Sequence, residues 1–300
     1  MKRLADLVNL GMVTASIFPF LLGILYSYYQ FHTVNIGFVI IFLICLLCLN
    51  FTVNVLDNCE DYLEAKSLND PHALEMNVLF RYHLTVDDGK RLIRYLLGTA
   101  LVTGGILVFR FGLPILIMGL VSLAIGIFYS QGPHPLSRYP VGEPASGLIM
   151  GFIVILAVAF INHPIWSGAL FWRTFIVSLP SVVWISNILL ANNICDDAVD
   201  RQMGRRTLVY FIGVRRSLHS FAFNNIVALI ALIVAVVAHL IPWTCLVVLL
   251  LVPFVVKQSR ILFAKQDKET TFSASVNIML ICSMLFVISF FVGLFIPAFV

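Results

Sequence analysis

Two short runs of this sequence repeat one pattern of polar residues. In "NVLDNCED" the residues Asn54, Asp57 and Asp61 are spaced N-x-x-D-x-x-x-D, and in "NICDDAVD" Asn193, Asp196 and Asp200 take the same spacing. On a helix, positions i, i+3 and i+7 share a face, so each run lines up one amide oxygen and two carboxylates a turn apart. Two like charges that close repel unless a cation sits between them. These oxygens are hard ligands suited to Mg²⁺, which takes one or two carboxylates and completes its shell with water and substrate phosphate. The chemistry expected is that of a metal-bridged diphosphate. Basic residues to hold the remaining phosphate charge follow both runs: Arg201, Arg205 and Arg206 after the second, Lys66 and Arg81 after the first. Asp197, Glu60 and Glu64 lie off the main face of their helices.

The elements that must position these residues are transmembrane helices. The 300 residues are 60% hydrophobic and 11% charged, with a mean hydropathy of +0.99, outside the range of soluble domains. Apolar runs long enough to cross a bilayer fall at 11–31, 34–53, 93–109, 112–130, 146–161, 168–190, 219–239, 242–258 and 275–298. The expected fold is an all-α integral membrane bundle of about nine transmembrane helices, forming one domain over residues 1–300. Each acidic run lies where a span meets the surface, the second span and the sixth. The connections near 54–92, 131–145, 191–218 and 259–274 read as long polar loops on one face. That face carries all of the 19 Lys and Arg except Arg110 and Arg173, which predicts a cytoplasmic N-terminus and a site facing the cytoplasm. The first apolar run lacks a small-residue cleavage site and is expected to remain as a span. The net charge of +4 is thus a topology signal, and no nucleic-acid partner is expected. Cys45 and Cys48 form a C-x-x-C inside an apolar helix, where small-residue packing explains them, and the six cysteines imply no disulfide framework.

A diphosphate held at the mouth of such a bundle has apolar helices, including 25 Phe, or lipid beneath it. That suits a polyprenyl diphosphate. Ionising an allylic diphosphate produces a carbocation, which aromatic rings stabilise, and a leaving group that Mg²⁺ stabilises.

These residues resemble the UbiA-type membrane prenyltransferase superfamily, whose members carry two Asp-rich motifs at the cytoplasmic ends of the second and sixth of nine helices. The likeness is greatest to the 1,4-dihydroxy-2-naphthoate polyprenyltransferases of menaquinone synthesis. Their second motif, N-N-x-x-D-x-x-x-D-x-x-x-G-K-[RK]-T-L followed by a Gly, is matched by "NNICDDAVDRQMGRRTLVYFIG", with Arg205 in place of the Lys. Their middle loop, Y-[ST]-x-G-P-x-P-L followed by G-E, is matched by "YSQGPHPLSRYPVGEPASG" through Tyr129, Gly132, Pro133, Pro135, Leu136, Gly142 and Glu143. "TASIFPFLLG" resembles the family's opening span. Two features depart from the pattern. "NVLDNCEDY" aligns with N-D-x-x-D from either Asn54 or Asp57, and "LVNLGMVTAS" stands where an Arg-Pro pair is usual.

The resemblance implies Mg²⁺ held by Asn54, Asp57 and Asp61 and by Asn193, Asp196 and Asp200. It further implies transfer of a polyprenyl group to 1,4-dihydroxy-2-naphthoate, giving demethylmenaquinone, diphosphate and CO₂. Arg138 is suited to the acceptor's carboxylate, and His134 reads either as a solvated loop side chain or as an acceptor contact. Glu143 either holds a helix N-terminus or orients the acceptor hydroxyl, and Tyr129 is either an acceptor contact or an interfacial anchor. A sister prenyltransferase acting on a hydroxybenzoate or another naphthoate shares these motifs. A divalent-cation or lipid-phosphate transporter, the rival of another class, calls for ligands near the bilayer midplane and broken spans. A silent paralogue that only binds isoprenoid lipid is disfavoured by the intact acids.

Overall fold

The computed structural model describes residues 2–69, 71–132 and 134–296, so Pro133 of the middle loop lies outside the described residues. The regular elements of the described residues are all helices, with no strand among them. Among the described residues eight helices are long and apolar enough to span a membrane: α1 (Leu10–Phe31), α2 (Ile36–Ser67), α3 (Val86–Phe111), α5 (Gly142–Asn162), α6 (Gly168–Gln202), α7 (Val214–Val237), α8 (Trp243–Ala264) and α9 (Ser273–Gly293). Between α3 and α5 lies the shorter apolar α4 (Leu113–Tyr129). The chain is a multi-pass integral membrane protein whose helices follow the order of the nine apolar runs.

The polar connections differ from the expectation, because much of what reads as loop is helix. α2 continues through its polar end to Ser67 and α6 to Gln202, and short helices at Pro71–Met76, Val78–Arg81 and Leu208–Ile212 occupy parts of the connections. Hydropathy marks where a helix leaves the apolar layer, whereas backbone hydrogen bonding and capping decide where it ends. α3 shows this at its start. Thr85 accepts from the Asp88 N–H at 3.1 Å while the Asp88 carboxylate accepts from the Thr85 N–H at 3.0 Å, a capping box that starts the helix at Val86, seven residues before the apolar run begins.

The chain forms two compact units, Met1–Thr14 with Ile36–Pro135, and Ala15–Asn35 with Leu136–Val300. In the first, α2 packs along α3 and against α4, with Cys45 buried against the Ala100 carbonyl of α3. At the polar end Leu7, Val8, Val55, Cys59 and Leu79 form a small core. All six cysteines are free thiols. In the second unit α6 is the central element, packed against α5, α7 and α9. Glycines set the approach of α5 to α6: a Cβ on Gly151 would lie 2.6 Å from the Val182 nitrogen, and one on Gly147 would strike the Val182 carbonyl and the Ser186 hydroxyl. Glu143, Gly147 and Gly151 recur every four residues, so the stripe that brings the backbones together also points Glu143 at α6.

Candidate functional site

The second acidic run is carried by the polar end of α6. The helix stops at Gly204, whose φ of +69° is left-handed and strained for any residue with a Cβ. The Gly204 N–H donates to the Arg201 carbonyl at 3.2 Å and the Arg205 N–H to the Asp200 carbonyl at 2.8 Å, the paired bonds of a Schellman turn. The reversal folds Arg205 back along the helix, placing its guanidinium 3.5 Å from the Asp200 carboxylate. Asp200 is only 4% exposed. A buried anion at the negative end of a helix dipole is costly, and Arg205 offsets that cost.

Asp196, one turn earlier, accepts from the Asn192 side-chain nitrogen at 3.0 Å and from the ammonium of Lys268. Lys268 also donates to Asn192 Oδ1. Asn193, the residue picked out by the repeated spacing, turns its amide to α5, donating to Glu143 Oε1 at 2.9 Å. Glu143 is 4% exposed, and its Oε2 has no hydrogen-bond partner among the described residues. Arg201 is engaged away from the Asp196 and Asp200 face, with its Nε 3.0 Å from each Asp197 oxygen and its guanidinium 5.0 Å from the Tyr210 ring centre. The side chain of Arg206 is exposed, while its N–H donates to the Arg138 carbonyl at 2.8 Å. The Arg138 loop is thereby tied to the turn that follows α6.

In the first unit, the Asn54 side-chain nitrogen donates to the Val8 carbonyl at 2.8 Å and to Asn50 Oδ1 at 3.2 Å. The Asn58 nitrogen donates to the carbonyls of Leu7 and Asn54 at 3.1 and 2.9 Å, and Asn77 donates to the Asn58 carbonyl at 3.0 Å. This amide network fastens the N-terminal segment and the short helix at Val78–Arg81 to α2. Asp57 is half-buried and Asp61 exposed. Off the acidic face, Glu60 accepts from Gln131 at 3.1 Å. Lys66 is exposed, and Arg81 donates to the Met76 carbonyl at 3.1 Å, closing the short helix that precedes it. Tyr129 is half-buried and His134 exposed.

Among the described residues no three His, Cys, Asp or Glu side chains converge as a metal site. Each motif offers two carboxylates flanked by asparagine oxygens, which is the donor set that Mg²⁺ completes with water and phosphate. The second motif already holds a cation on such oxygens, the Lys268 ammonium on Asn192 and Asp196. The residues therefore fit a hard divalent ion in donor type and in charge. Spacing alone does not reveal Asn192 or Lys268. The doubled Asn of "NNICDD" and the cations of "KQDKE" are the only traces they leave.

Comparisons with known proteins agree with this architecture. Residues 16–284 match the model of the UbiA prenyltransferase family. A 1,4-dihydroxy-2-naphthoate octaprenyltransferase of Bacillus subtilis (strain 168) is 33% identical over 114 residues, covering 38% of this chain and 35% of that protein. A UbiA homologue of Aeropyrum pernix K1 superposes with a TM-score of 0.70 at 16% identity, over 92% of this chain and 97% of that one. One from Archaeoglobus fulgidus, solved with GPP and Mg²⁺, gives a TM-score of 0.64 at 14% identity over 98% and 100%. A digeranylgeranylglyceryl phosphate synthase structure gives 0.68 at 18% identity over 97% of both chains. With its helical fold and a family match over nearly its whole length, this chain belongs to the UbiA prenyltransferase family.

Proposed function

We propose that this protein transfers a polyprenyl group from its diphosphate to 1,4-dihydroxy-2-naphthoate, at the cytoplasmic face of the cell membrane. The observation that carries the reading is the second motif, where buried Asp200 and half-buried Asp196 each already face a cation, on a helix end matching the naphthoate branch residue for residue except at Arg205. The Lys and Arg bias toward one face supports a cytoplasmic N-terminus. The partly matching naphthoate octaprenyltransferase supports the acceptor.

In this reading Asp57 and Asp61, with Asn54, would hold one Mg²⁺, and Asp196 and Asp200, with Asn193, would hold another. When bound, Mg²⁺ supplies a hard Lewis acid that neutralises charge on the departing diphosphate. Arg205 and Arg206 donate to its oxygens, with Arg201, Lys66 and Arg81 adding positive potential around it. The allylic C1–O bond breaks with its electron pair leaving on diphosphate, and the ring carbon bearing the acceptor's carboxylate bonds to C1. Loss of CO₂ returns the electron pair of the carboxyl bond to the ring, giving the quinol form of demethylmenaquinone. Arg138 holds the acceptor carboxylate, and Glu143, His134 and Tyr129 contact the acceptor's hydroxyls. The apolar spans and surrounding lipid take the prenyl tail.

The test is a choice of acceptors. Purified protein in lipid, given a polyprenyl diphosphate with 1,4-dihydroxy-2-naphthoate or 4-hydroxybenzoate, is expected to form a prenylated product from the naphthoate alone, with the mass of one carboxyl group lost. A prenylated hydroxybenzoate that keeps its carboxylate would replace the acceptor assignment.

A further inference from the structure

Lys268 lies in the turn between α8 and α9, far in sequence from both acidic motifs, yet its ammonium sits on Asn192 Oδ1 and Asp196 Oδ2. The same ammonium is 5.5 Å from the centre of the Phe272 ring. The turn is built to present it. Asp267 accepts from the Thr270 N–H at 2.9 Å and the Thr270 hydroxyl at 2.7 Å, and it pairs with Lys265 at 2.9 Å. Thr271 Oγ1 accepts from the Asp267 N–H at 3.0 Å and donates to the Asp267 carbonyl at 2.9 Å. With Asp267 neutralised by Lys265, the charge of Lys268 is directed at α6.

The two carboxylates of the second motif are supported differently. Asp200 is paired with Arg205, which the Schellman turn fixes to the same helix end. Asp196 is paired with a lysine from another segment, 47% exposed and on a flexible four-carbon stem. An oxygen already accepting from an ammonium cannot turn the same lone pair to a metal, and two cations on one carboxylate repel. We infer that Lys268 is the counter-ion of the second motif, held on Asn192 and Asp196 and withdrawing from them when the motif takes up a divalent cation. Divalent affinity at this motif is then set by competition with a tethered amine, and metal loading frees a lysine at the membrane surface. The inference rests on reading Asp196 as a metal ligand.

The test uses the full-length protein and Mg²⁺ alone. An amine-reactive label, read residue by residue by mass spectrometry, is expected to modify Lys268 several-fold faster once Mg²⁺ is added. Lys265, three residues away, serves as the internal reference and keeps its rate. In calorimetric titration, Lys268→Met is expected to bind Mg²⁺ about five-fold more tightly than the unaltered protein, the upper range for removing a partly exposed ion pair. Lys268→Arg stays close to the original affinity, and Asp196→Asn loses binding at this motif. Equal labelling with and without Mg²⁺, or unchanged or weaker Mg²⁺ binding in Lys268→Met, overturns the inference while leaving Asp196 a ligand. Mg²⁺ binding identical in the unaltered protein and Asp196→Asn overturns the ligand reading and the inference with it.

Discussion

Asp200 and Arg205 are joined twice, by a 2.8 Å bond from the Arg205 N–H to the Asp200 carbonyl and by a 3.5 Å approach of guanidinium to carboxylate. The first contact is a helix-ending device and the second an electrostatic one, and Gly204 between them makes both possible. Gly204→Val forces a β-branched side chain into a left-handed backbone and is expected to cost about 1–3 kcal/mol. It should also lower prenyl transfer, because Arg205 loses its placement. Thermal unfolding in detergent and product formation, measured on the same preparation, check the two effects together.

Arg205→Met leaves the turn intact and removes only the charge. Asp200 is then a buried anion without its cation, so stability is expected to fall by about 3 kcal/mol and turnover by at least ten-fold. Arg205→Lys, which restores the residue usual in the family, should recover most of both. Melting temperature and initial rate for the two variants decide this.

Glu143 and Asn193 are both buried and share a 2.9 Å hydrogen bond between α5 and α6. Glu143→Leu strands the Asn193 amide and is expected to destabilise the protein by about 1–3 kcal/mol. Glu143→Gln keeps an acceptor oxygen for that amide and should retain most of the stability. A greater loss of activity than of stability in Glu143→Gln would mark the carboxylate itself as an acceptor contact, as the proposed function requires.

Gly151→Val places a branched side chain where a Cβ already lies 2.6 Å from the Val182 nitrogen. The α5–α6 approach must open, at an expected cost of about 1–3 kcal/mol. Chemical or thermal unfolding measures the loss, and Gly105→Val, where a Cβ meets nothing within 4 Å, is the matched control.

The turn that carries Lys268 has its own pH signature. The Lys265 ammonium first, and then the Thr270 hydroxyl and N–H, hold the Asp267 carboxyl well below the usual carboxylate range. A depressed folded pKa means that its contribution is fully present above the unfolded value, about 3.9, and is lost as pH falls through the folded one. Amide exchange across residues 265–271, corrected for the intrinsic rate, should therefore be constant from about pH 5 to 8. Asp267→Asn should raise exchange across that whole range.

The order and character of the helices are legible in the sequence because nine apolar runs with one-sided charge leave few alternatives. So is the acidic stripe of α6, since its spacing is helical. The helix ends are less so. The capping box at Thr85 and Asp88 is written in "TVDD", but a reading that follows hydropathy starts the third span at 93. The partners of the motif are least legible, because they are set by tertiary packing. Asn192 rather than Asn193 bonds to Asp196, Glu143 reaches Asn193 through a glycine stripe, and Lys268 arrives from the turn after α8. Arg201, the base nearest the motif in sequence, is turned to Asp197 because the next turn of one helix face brings those two together.

The decisive measurement is of the lipid product that this protein makes from a polyprenyl diphosphate and 1,4-dihydroxy-2-naphthoate as Mg²⁺ is titrated, alongside Asp57→Asn and Asp196→Asn. Metal-dependent transfer at both motifs gives a decarboxylated prenyl naphthoquinol that appears only with Mg²⁺ and is lost in both variants. Product formed equally without Mg²⁺, or undiminished in either variant, would contradict it.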